Sequence, residues 1–360
     1  MIDNETLIDI KSMNMDALDT YIQSFGEKSF RATQRFDWLH NKKVTNFSDM
    51  RNLSKAFIET LSKSAKITQV TLIDILTSKD DDTKKYLFRL EDGHMIETVL
   101  MRYSYGYSIC ISSQVGCRMG CTFCASTLGG LARDLTPSEM LEQVYAIERA
   151  EDELCHGVVV MGIGEPFDNF DNLITWIHLI NHPKGRNLGQ RHITVSTSGV
   201  VAKIKAFADL NLQVNLAISL HSTNNNSRSE LMPINKKYPI EALIESCRYY
   251  IHKTNRRITF EYTLISGTND SENHARSLAH LVNHMLCHVN LIPINGNVNK
   301  SLEHTTTSVY QKPDIATQQK FKSIIEKTGI PVTIRRSLGS DIDASCGQLR
   351  HQHMKDKGAD

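Results

Sequence analysis

Residues 114–124 read Gln-Val-Gly-Cys-Arg-Met-Gly-Cys-Thr-Phe-Cys. The stretch begins at the end of a predicted strand, 107–115, and brings Cys117, Cys121 and Cys124 close together in the chain. Its two glycines let the backbone fold tightly around a bulky group. Thiolates are soft ligands that suit iron–sulfur clusters or zinc. The stretch therefore predicts a metal-binding loop after the first strand of a sheet.

The number and spacing of these cysteines indicate which metal group they hold. Structural zinc sites and electron-transfer clusters usually have about four protein ligands. Three thiolates leave one iron of a four-iron cluster open, and an open iron can bind the amino and carboxylate groups of S-adenosylmethionine. The spacing C-x3-C-x2-C thus favours a radical enzyme, in which an electron from the cluster splits the sulfonium to a 5′-deoxyadenosyl radical. The alternative is a zinc site with a distant fourth ligand.

From residue 107 onward, predicted strands and helices alternate. Such units imply a parallel sheet with helices on its outside. They predict an α/β fold, a partial (βα)6 barrel, with an open doubly wound sheet as the alternative. The first helix has a clear start, because Thr136 can cap it, Pro137 suits its first position and Glu139 completes a capping box. The predicted strands are 107–115, 157–162, 192–197, 214–221, 258–265, 288–294 and 331–336, and the predicted helices are 137–150, 170–181, 200–208, 239–253, 272–285 and 315–328.

Two shorter regions precede the barrel. Residues 1–66 have apolar residues at helical spacing and predict a small helical accessory domain. Residues 67–105 change to short runs that predict a β-strand extension. We assign 106–350 to the barrel with a C-terminal catalytic loop, and the polar residues 351–360 to a mobile tail. The helices are expected at 13–25, 30–40 and 47–63, and the strands at 70–75, 85–90 and 95–100.

Polar residues and glycines follow the ends of several predicted barrel strands. In barrels of this kind the C-terminal strand ends build the active site. Each residue alone has a simpler explanation, a tight turn for glycine or a helix cap for serine. Their common placement instead predicts a pocket for S-adenosylmethionine, in which glycine permits close backbone approach and glutamate accepts a hydrogen bond. The residues assigned to this pocket are Gly164, Glu165, Ser196, Ser219, Leu220, His221 and Asn295.

Two cysteines outside the loop have unusual surroundings. Cys110 shares one face of its predicted strand with Ser108 and Ser112, because side chains alternate, so it is expected to face the barrel interior. Its simpler interpretation is a small buried hydrophobe. Cys346 lies beyond the last strand in a polar segment flanked by glycine, where a thiol is exposed and can be reactive. We interpret Cys155, Cys247 and Cys287 as structural.

Composition is that of an ordinary globular protein. The chain has 360 residues, 40% hydrophobic and 22% charged, with a formal net charge of +1. No overall charge therefore supports nucleic-acid binding. No apolar run approaches the roughly 18 residues of a membrane span, and the N-terminus lacks a secretory pattern. We expect a cytoplasmic protein whose clustered cysteines serve metal binding or catalysis rather than disulfides.

With these residues assembled, the chain resembles the RlmN/Cfr family of radical S-adenosylmethionine RNA methyltransferases over nearly its whole length. The resemblance implies a partial barrel of the radical SAM type, a [4Fe–4S] cluster and two S-adenosylmethionine molecules per turnover. It also implies that the N-terminal helical domain binds RNA. The motifs that carry the resemblance are the loop from Cys117 to Cys124, Gly164-Glu165-Pro166, Ser196, Ser219-Leu220-His221, Asn295 and, at 341–349, Asp-Ile-Asp-Ala-Ser-Cys-Gly-Gln-Leu.

The resemblance further implies a reaction and the residues that perform it. The target is C2 of an adenine, which is methylated through a methylcysteine at Cys346 and a transient protein–RNA adduct. Cys110 helps to resolve that adduct, and Glu97 accepts a proton. The implied substrates are an adenosine in the peptidyl-transferase region of 23S rRNA and the adenosine 3′ to the anticodon of tRNA. An external electron donor such as flavodoxin is also implied, and we expect a monomer that needs no membrane.

Two alternatives stand beside this hypothesis. A Cfr-like enzyme, which methylates C8 of the ribosomal adenine and confers antibiotic resistance, is the alternative within the family. Pro166 after Glu165 favours the C2 branch, and Ser345, where the family usually has alanine, is one small departure. A non-catalytic, zinc-stabilised RNA-binding module is the alternative outside the enzymes.

Overall fold

The computed structural model describes residues 7–294, 310–336 and 338–342. Three helices form its N-terminal region. The predicted helical character of this region is confirmed. Its third helix begins later than expected, because the Ser54 side chain accepts a hydrogen bond from the Phe57 amide and caps the helix there. The elements are β1 (Ile8–Asp9), α1 (Met15–Gln23), α2 (Phe30–His40), α3 (Lys55–Ser64) and β2 (Ala65–Lys66), and β1 pairs in parallel with β2.

An antiparallel unit follows and confirms the three strands expected between 70 and 100. It consists of β3 (Thr71–Thr77), β4 (Lys84–Arg89) and β5 (Met95–Tyr103). β5 then pairs antiparallel with β6 (Gly106–Ile111). Since β6 is the first barrel strand, this extension is continuous with the barrel sheet.

The chain leaves that sheet after β6 and forms a hairpin of β7 (Gln114–Gly116) and β8 (Leu131–Asp134). The expectation of one strand over 107–115 is therefore wrong. The Gln143 side chain provides the reason, because it accepts a hydrogen bond from the Ser112 amide at 2.8 Å and donates one to the Ser112 carbonyl at 3.0 Å. The Gln143 side chain thus takes the place of a neighbouring strand as the hydrogen-bond partner of the Ser112 backbone. The cysteine loop becomes the connection between the two strands of the hairpin.

Seven parallel strands in the described part of the chain form the barrel. They stand in the sheet in the order in which they occur along the chain, β6 and then β9 to β14 as bounded below. A doubly wound sheet reverses its strand order at a switch point. This order therefore identifies a partial barrel. The strands after β6 are β9 (Gly157–Val160), β10 (Ile193–Thr197), β11 (Asn215–Ser219), β12 (Ile258–Leu264), β13 (Cys287–Pro293) and β14 (Val332–Ile334).

Helices connect these strands at the predicted places. The first begins with the predicted capping box, in which Thr136 and Glu139 satisfy each other's backbone amides. α7 was not predicted, because its mostly polar sequence lacks helical periodicity. No helix within the described ranges is long and apolar enough to cross a membrane. The helices are α4 (Pro137–Glu151), α5 (Phe170–Asn181), α6 (Val201–Asp209), α7 (Asn225–Leu231), α8 (Ile240–Thr254), α9 (Glu272–Leu281) and α10 (Ile315–Glu326).

A buried ion pair fastens the N-terminal region to α4. The Lys11 ammonium lies 2.6 Å from a Glu142 carboxylate oxygen, and both side chains are fully buried. Arg149 contacts the same carboxylate at 2.8 Å. Burial alone would raise the pKa of Glu142, but Lys11 and Arg149 outweigh that effect and hold it below its usual value.

We expect Lys11→Met to lower the free energy of unfolding by about 3–5 kcal/mol, since it removes one partner of a buried pair. Lys66→Met is the matched control, because Lys66 pairs with Glu91 on the surface and should contribute less than about 1 kcal/mol. Urea denaturation followed by circular dichroism measures both. Equal effects of the two substitutions would contradict this account.

The ion pair also makes stability depend on pH. Because the pKa of folded Glu142 is lowered, its contribution to the free energy of unfolding is present above the unfolded pKa of about 4.3 and is lost as pH falls below that value.

Candidate active site

A cavity of about 390 Å³ opens at the C-terminal ends of the barrel strands. This is the edge at which the polar strand ends were predicted to meet. The cavity brings together most of the residues assigned from the sequence, and its far wall is formed by β5 and β6. The predicted residues that line it are Cys110, Cys117, Cys121, Cys124, Gly164, Glu165, Ser196, Ser219 and His221.

The cysteine loop is held in place by its own backbone. The Cys117 amide donates to the Gly130 carbonyl, and the Thr122 amide donates to the Leu231 carbonyl. Gly116 has a φ of +78°, and a Cβ there would overlap the carbonyl oxygen of Gly130. Glycine is therefore required at 116 for the loop to close.

Burial controls the protonation of these thiols. It raises the pKa of Cys117 to about 12 and that of Cys121 well above its usual value. Iron would reverse this preference, because a coordinating thiol is deprotonated by the metal charge. Three soft donors from one loop, facing one cavity, fit an iron–sulfur cluster with an open position. Within the described residues, no three His, Cys, Asp or Glu side chains are grouped so as to hold a single metal ion, and in a four-iron cluster each of the three cysteines would bind a different iron.

Glu165 connects three loops of the site. Its amide donates to the Gln114 side chain at 2.8 Å, and its carboxylate accepts from the amides of Phe167 at 2.9 Å and Ser198 at 2.6 Å. Burial raises the pKa of Glu165, and the bonds from Ser198 oppose that rise. Gly164 precedes it with a φ of +107°. The carboxylate is thus fixed at the cavity wall, where it can accept a hydrogen bond from a ligand.

His221 lines the cavity as a neutral donor. Its Nδ1 atom accepts a hydrogen bond from the Thr263 amide at 2.9 Å, so its proton resides on Nε2. Burial lowers the pKa of His221 to about 3. Phe123 of the cysteine loop packs edge-on against the imidazole, with ring centroids 5.0 Å apart. The histidine therefore links the cysteine loop to the end of β12.

Leu220 lies between two residues that line the cavity. Its side chain is fully buried in the hydrophobic core and does not line the cavity. The reason is the alternation of side chains along extended chain, which directs Ser219 and His221 to the cavity and Leu220 to the opposite side. Its contribution to the site is its backbone carbonyl, which accepts from Arg228.

No local sequence pattern points to Arg228. This guanidinium is fully buried and donates to the carbonyls of Ser198 at 2.8 Å and Ser219 at 3.0 Å, which ties the ends of β10 and β11 together. Burial lowers its pKa to about 10, so it stays charged at neutral pH. A single arginine in a polar stretch is usually read as surface, which is why it was missed. Other lining residues that were not predicted include Met119, Phe123, Glu261 and Thr263.

Cys110 occupies the far wall of the cavity. It packs with Val99 and Met101 of β5, while Tyr107 and Ile109 of β6 enter the main core. This agrees with the prediction that side chains alternate along the strand, with Cys110 on the face toward the barrel interior. Leu338 packs against the same cluster.

Glu97 is buried and does not line the cavity. It is 3% exposed and pairs with the fully buried Lys85 at 2.9 Å. By alternation it shares the face of β5 that carries Val99 and Met101. Asn295 and Cys346 lie outside the described residues.

The segment that leads to Cys346 is anchored beside this wall. The Gly339 amide donates to Asp81 at 2.9 Å, and Asp341 accepts from the Lys79 amide at 2.9 Å. Ser340 lines the cavity. Cys346 follows Ser340 by six residues, which gives an extended reach of at most about 20 Å.

Comparisons with known proteins agree with this arrangement. The family profile described as "Radical SAM superfamily" matches residues 111–278, and "Ribosomal RNA large subunit methyltransferase N-terminal domain" matches residues 8–67. The solved structure of a radical SAM methyltransferase from Sphaerobacter thermophilus is 40% identical, covers 95% of this chain and 98% of its own, and superposes with a TM-score of 0.88. The fold and the cysteine loop thus define the class of radical SAM enzymes.

Two relatives identify the family within that class. Proteins from Lachnospira eligens and Geobacillus kaustophilus, each named "Probable dual-specificity RNA methyltransferase RlmN", are 51% identical over 351 residues. The matches cover 97% of this chain and 98% and 94% of the two relatives. The chain belongs to the RlmN family of radical SAM RNA methyltransferases. The resemblance drawn from the sequence is confirmed. The protein is therefore an S-adenosylmethionine-dependent RNA methyltransferase that uses a [4Fe–4S] cluster.

Proposed function

We propose that this enzyme methylates C2 of adenine in RNA by way of Cys346 and Cys110. The observation that carries the proposal is the packing of Leu338, on the segment leading to Cys346, against the cavity wall that contains Cys110. The cysteine loop lines the same cavity. Both sulfurs can therefore act beside the cluster on one bound base.

An iron–sulfur cluster bound at the cysteine loop would supply the electron that cleaves S-adenosylmethionine to methionine and a 5′-deoxyadenosyl radical. Cys117, Cys121 and Cys124 are its proposed ligands. Glu165, with Gly164, is proposed to hold the ammonium group of S-adenosylmethionine. Ser196, Ser219, His221 and Asn295 are the further groups proposed to hold that molecule, with the Leu220 backbone in support.

In the proposed reaction, Cys346 first accepts a methyl group from one S-adenosylmethionine. Its methyl group then loses a hydrogen atom to the adenosyl radical formed from a second, and the resulting carbon adds to adenine C2. The adduct radical would return one electron to the oxidised cluster, and Glu97 accepts the proton that leaves C2, which restores the adenine ring. Cys110 finally attacks the Cys346 sulfur, the bond from that sulfur to the CH2 carbon breaks, and this carbon takes up a proton to become the methyl group. The disulfide formed by the two sulfurs is then reduced by an outside thiol before the next turnover. Reduction of the cluster needs an outside donor, for which we propose a flavodoxin-like protein.

We propose as substrates the peptidyl-transferase adenosine of 23S rRNA and the adenosine 3′ to the anticodon of tRNA. The N-terminal helical region, 1–66, is proposed to bind these RNAs, and the match to the ribosomal RNA methyltransferase N-terminal domain over residues 8–67 supports this. The words "dual-specificity" in the name of the relatives support two kinds of substrate. We propose that a monomer acts on them in the cytoplasm. We retain 106–350 as the catalytic domain and 351–360 as a tail.

Isotope-labelled S-adenosylmethionine tests this route directly. With three deuterium atoms on its methyl group, the proposed route places one deuterium in 5′-deoxyadenosine and two in the RNA methyl group. Mass spectrometry of both products measures this distribution. Retention of all three in RNA would show direct methyl transfer and would contradict the methylcysteine route.

The cluster assignment predicts a metal content. Anaerobically reconstituted protein is expected to bind about four irons and four sulfides per chain. Cys121→Ala should lose them, whereas Cys247→Ala, a control in the core, should keep them. Bound zinc without labile sulfide would contradict the assignment.

The buried pair of Lys85 and Glu97 yields a kinetic prediction. Glu97→Gln is expected to slow RNA methylation by about 100-fold, the usual effect of losing a general base. Lys85→Met should act in the same direction, because it removes the ammonium group that lies 2.9 Å from the Glu97 carboxylate and holds it in place. Methylation of Cys346 itself should continue in both variants, and Lys205→Met, a surface control, should change neither step. A wild-type rate in Glu97→Gln would remove Glu97 from the reaction.

A further inference from the structure

Two tyrosines form an exposed stack at the turn between β5 and β6. The rings of Tyr103 and Tyr105 lie 5.1 Å apart with an interplanar angle of 4°. Tyr103 is 39% exposed and Tyr105 is 62% exposed. Large aromatic side chains are usually buried, so a parallel stack facing solvent offers a flat apolar surface that needs an explanation.

This stack stands at the edge of the cavity. The Tyr103 hydroxyl donates to the Met101 sulfur at 3.7 Å, and Met101 lines the cavity beside Cys110. The turn itself is short, because Tyr103 pairs directly with Gly106. The tyrosine rings are therefore fixed on the rim by the strand that carries the far wall of the site.

Two arginines complete the same edge. Arg335 and Arg336 follow β14, are exposed, and line the cavity. Partial burial raises the pKa of Tyr103, and the charges of Arg335 and Arg336 oppose that rise, so both guanidinium groups act on this ring. Across the parts of the chain that the structure describes, no carboxylate forms an ion pair with either arginine. Arg102 differs, because it pairs with Glu151 and Glu153.

We propose that Tyr103, Tyr105, Arg335 and Arg336 form an RNA-binding rim that holds a nucleotide adjacent to the target adenosine. This inference rests on the proposed function. An adenine that presents C2 to a buried cavity must leave its stack, which exposes the faces of its neighbours. Tyrosine rings accept such bases by stacking, whereas guanidinium groups bind the phosphates between them. The rim therefore fits single-stranded or unstacked RNA rather than a regular duplex.

Binding of a labelled RNA tests the stacking part of the rim. The probe is a tRNA anticodon stem-loop with 2-aminopurine beside the adenosine 3′ to the anticodon, added to the reconstituted enzyme. Tyr105→Ala is expected to weaken binding about tenfold and to abolish quenching of 2-aminopurine on binding. Tyr105→Trp should restore both. Tyr249→Ala is the matched control, since Tyr249 is exposed on α8 and bonded to Asp209.

Salt dependence tests the arginines separately. Loss of two phosphate contacts should reduce the slope of log Kd against log salt by about 1.4 in the double variant Arg335→Gln, Arg336→Gln. Tyr105→Ala should leave that slope unchanged, and so should Arg276→Gln, a control on α9 that pairs with Glu272. Wild-type binding, quenching and slope in the rim variants would overturn the proposal.

A further readout separates this proposal from the proposed function. In the proposed reaction Cys346 is methylated before the RNA reacts, so this methylation should stay at the wild-type level in Tyr105→Ala, whose side chain does not line the cavity. If the wild-type enzyme makes 2-methyladenosine while the rim variants bind RNA normally, only the rim is wrong. If the wild-type enzyme binds the probe through the rim but methylates no RNA, only the reaction is wrong.

Discussion

Cys346→Ala is expected to make no methylated adenosine, with a rate at least about 1000-fold below that of the wild type. The physical reason is that the methyl carbon has no sulfur to carry it, and adenine C2 is neither acidic nor nucleophilic. A loss of this size corresponds to about 4 kcal/mol of transition-state stabilisation. Single-turnover assays with purified RNA measure the rate, and mass spectrometry of the peptide containing residue 346 detects the methyl group.

The control is Cys287→Ala, which removes a buried thiol on β13. It should keep both the methylated peptide and the RNA product. Iron content should be unchanged in both variants, because neither cysteine belongs to the loop that lines the cavity. Methylated RNA from Cys346→Ala at a normal rate would mean that the methyl group never passes through the protein.

Cys110→Ala is expected to stop at a covalent protein–RNA adduct. Its cavity wall is apolar, formed with Val99 and Met101, so no other thiol from that cluster can attack the Cys346 sulfur. The enzyme should form less than one product per chain and accumulate a species that migrates slowly on a denaturing gel. Nuclease treatment should return that species to the mobility of the protein.

Cys110→Ser tests whether the trapped adduct results from loss of the sulfur rather than from a change in side-chain size. It preserves the size of the side chain but cannot form a disulfide, so it should trap the same adduct. Multiple turnovers by either variant without a trapped species would remove Cys110 from the resolution step.

Local sequence patterns predicted most of the fold. The parallel strands are continuous apolar runs between polar turns, as at Gly157–Val160 and Asn215–Ser219. The capping box at Thr136 fixed a helix start to the residue. The break at Ser112 could not be predicted, because the Gln143 side chain that causes it comes from a distant helix. α7 was missed because its mostly polar sequence lacks helical periodicity.

In the candidate site, too, local sequence patterns predicted some features, while others depend on contacts between distant residues. Residues at strand ends, such as Glu165 and Ser196, were predicted because barrel geometry gathers strand ends at one edge. Alternation sends the Leu220 side chain to the core, so only its backbone can contribute to the predicted pocket. The pairing of Lys85 with Glu97 required the register of β4 and β5, which no local pattern encodes.

Analysis of modified nucleosides tests the central claim most directly. Ribosomal RNA and tRNA are digested from cells that lack the gene and from the same cells carrying the wild-type gene, Cys346→Ala or Cys110→Ala. The account predicts 2-methyladenosine in both RNAs with the wild-type gene, and none with either variant. Finding 8-methyladenosine instead, or 2-methyladenosine with Cys346→Ala, would contradict it.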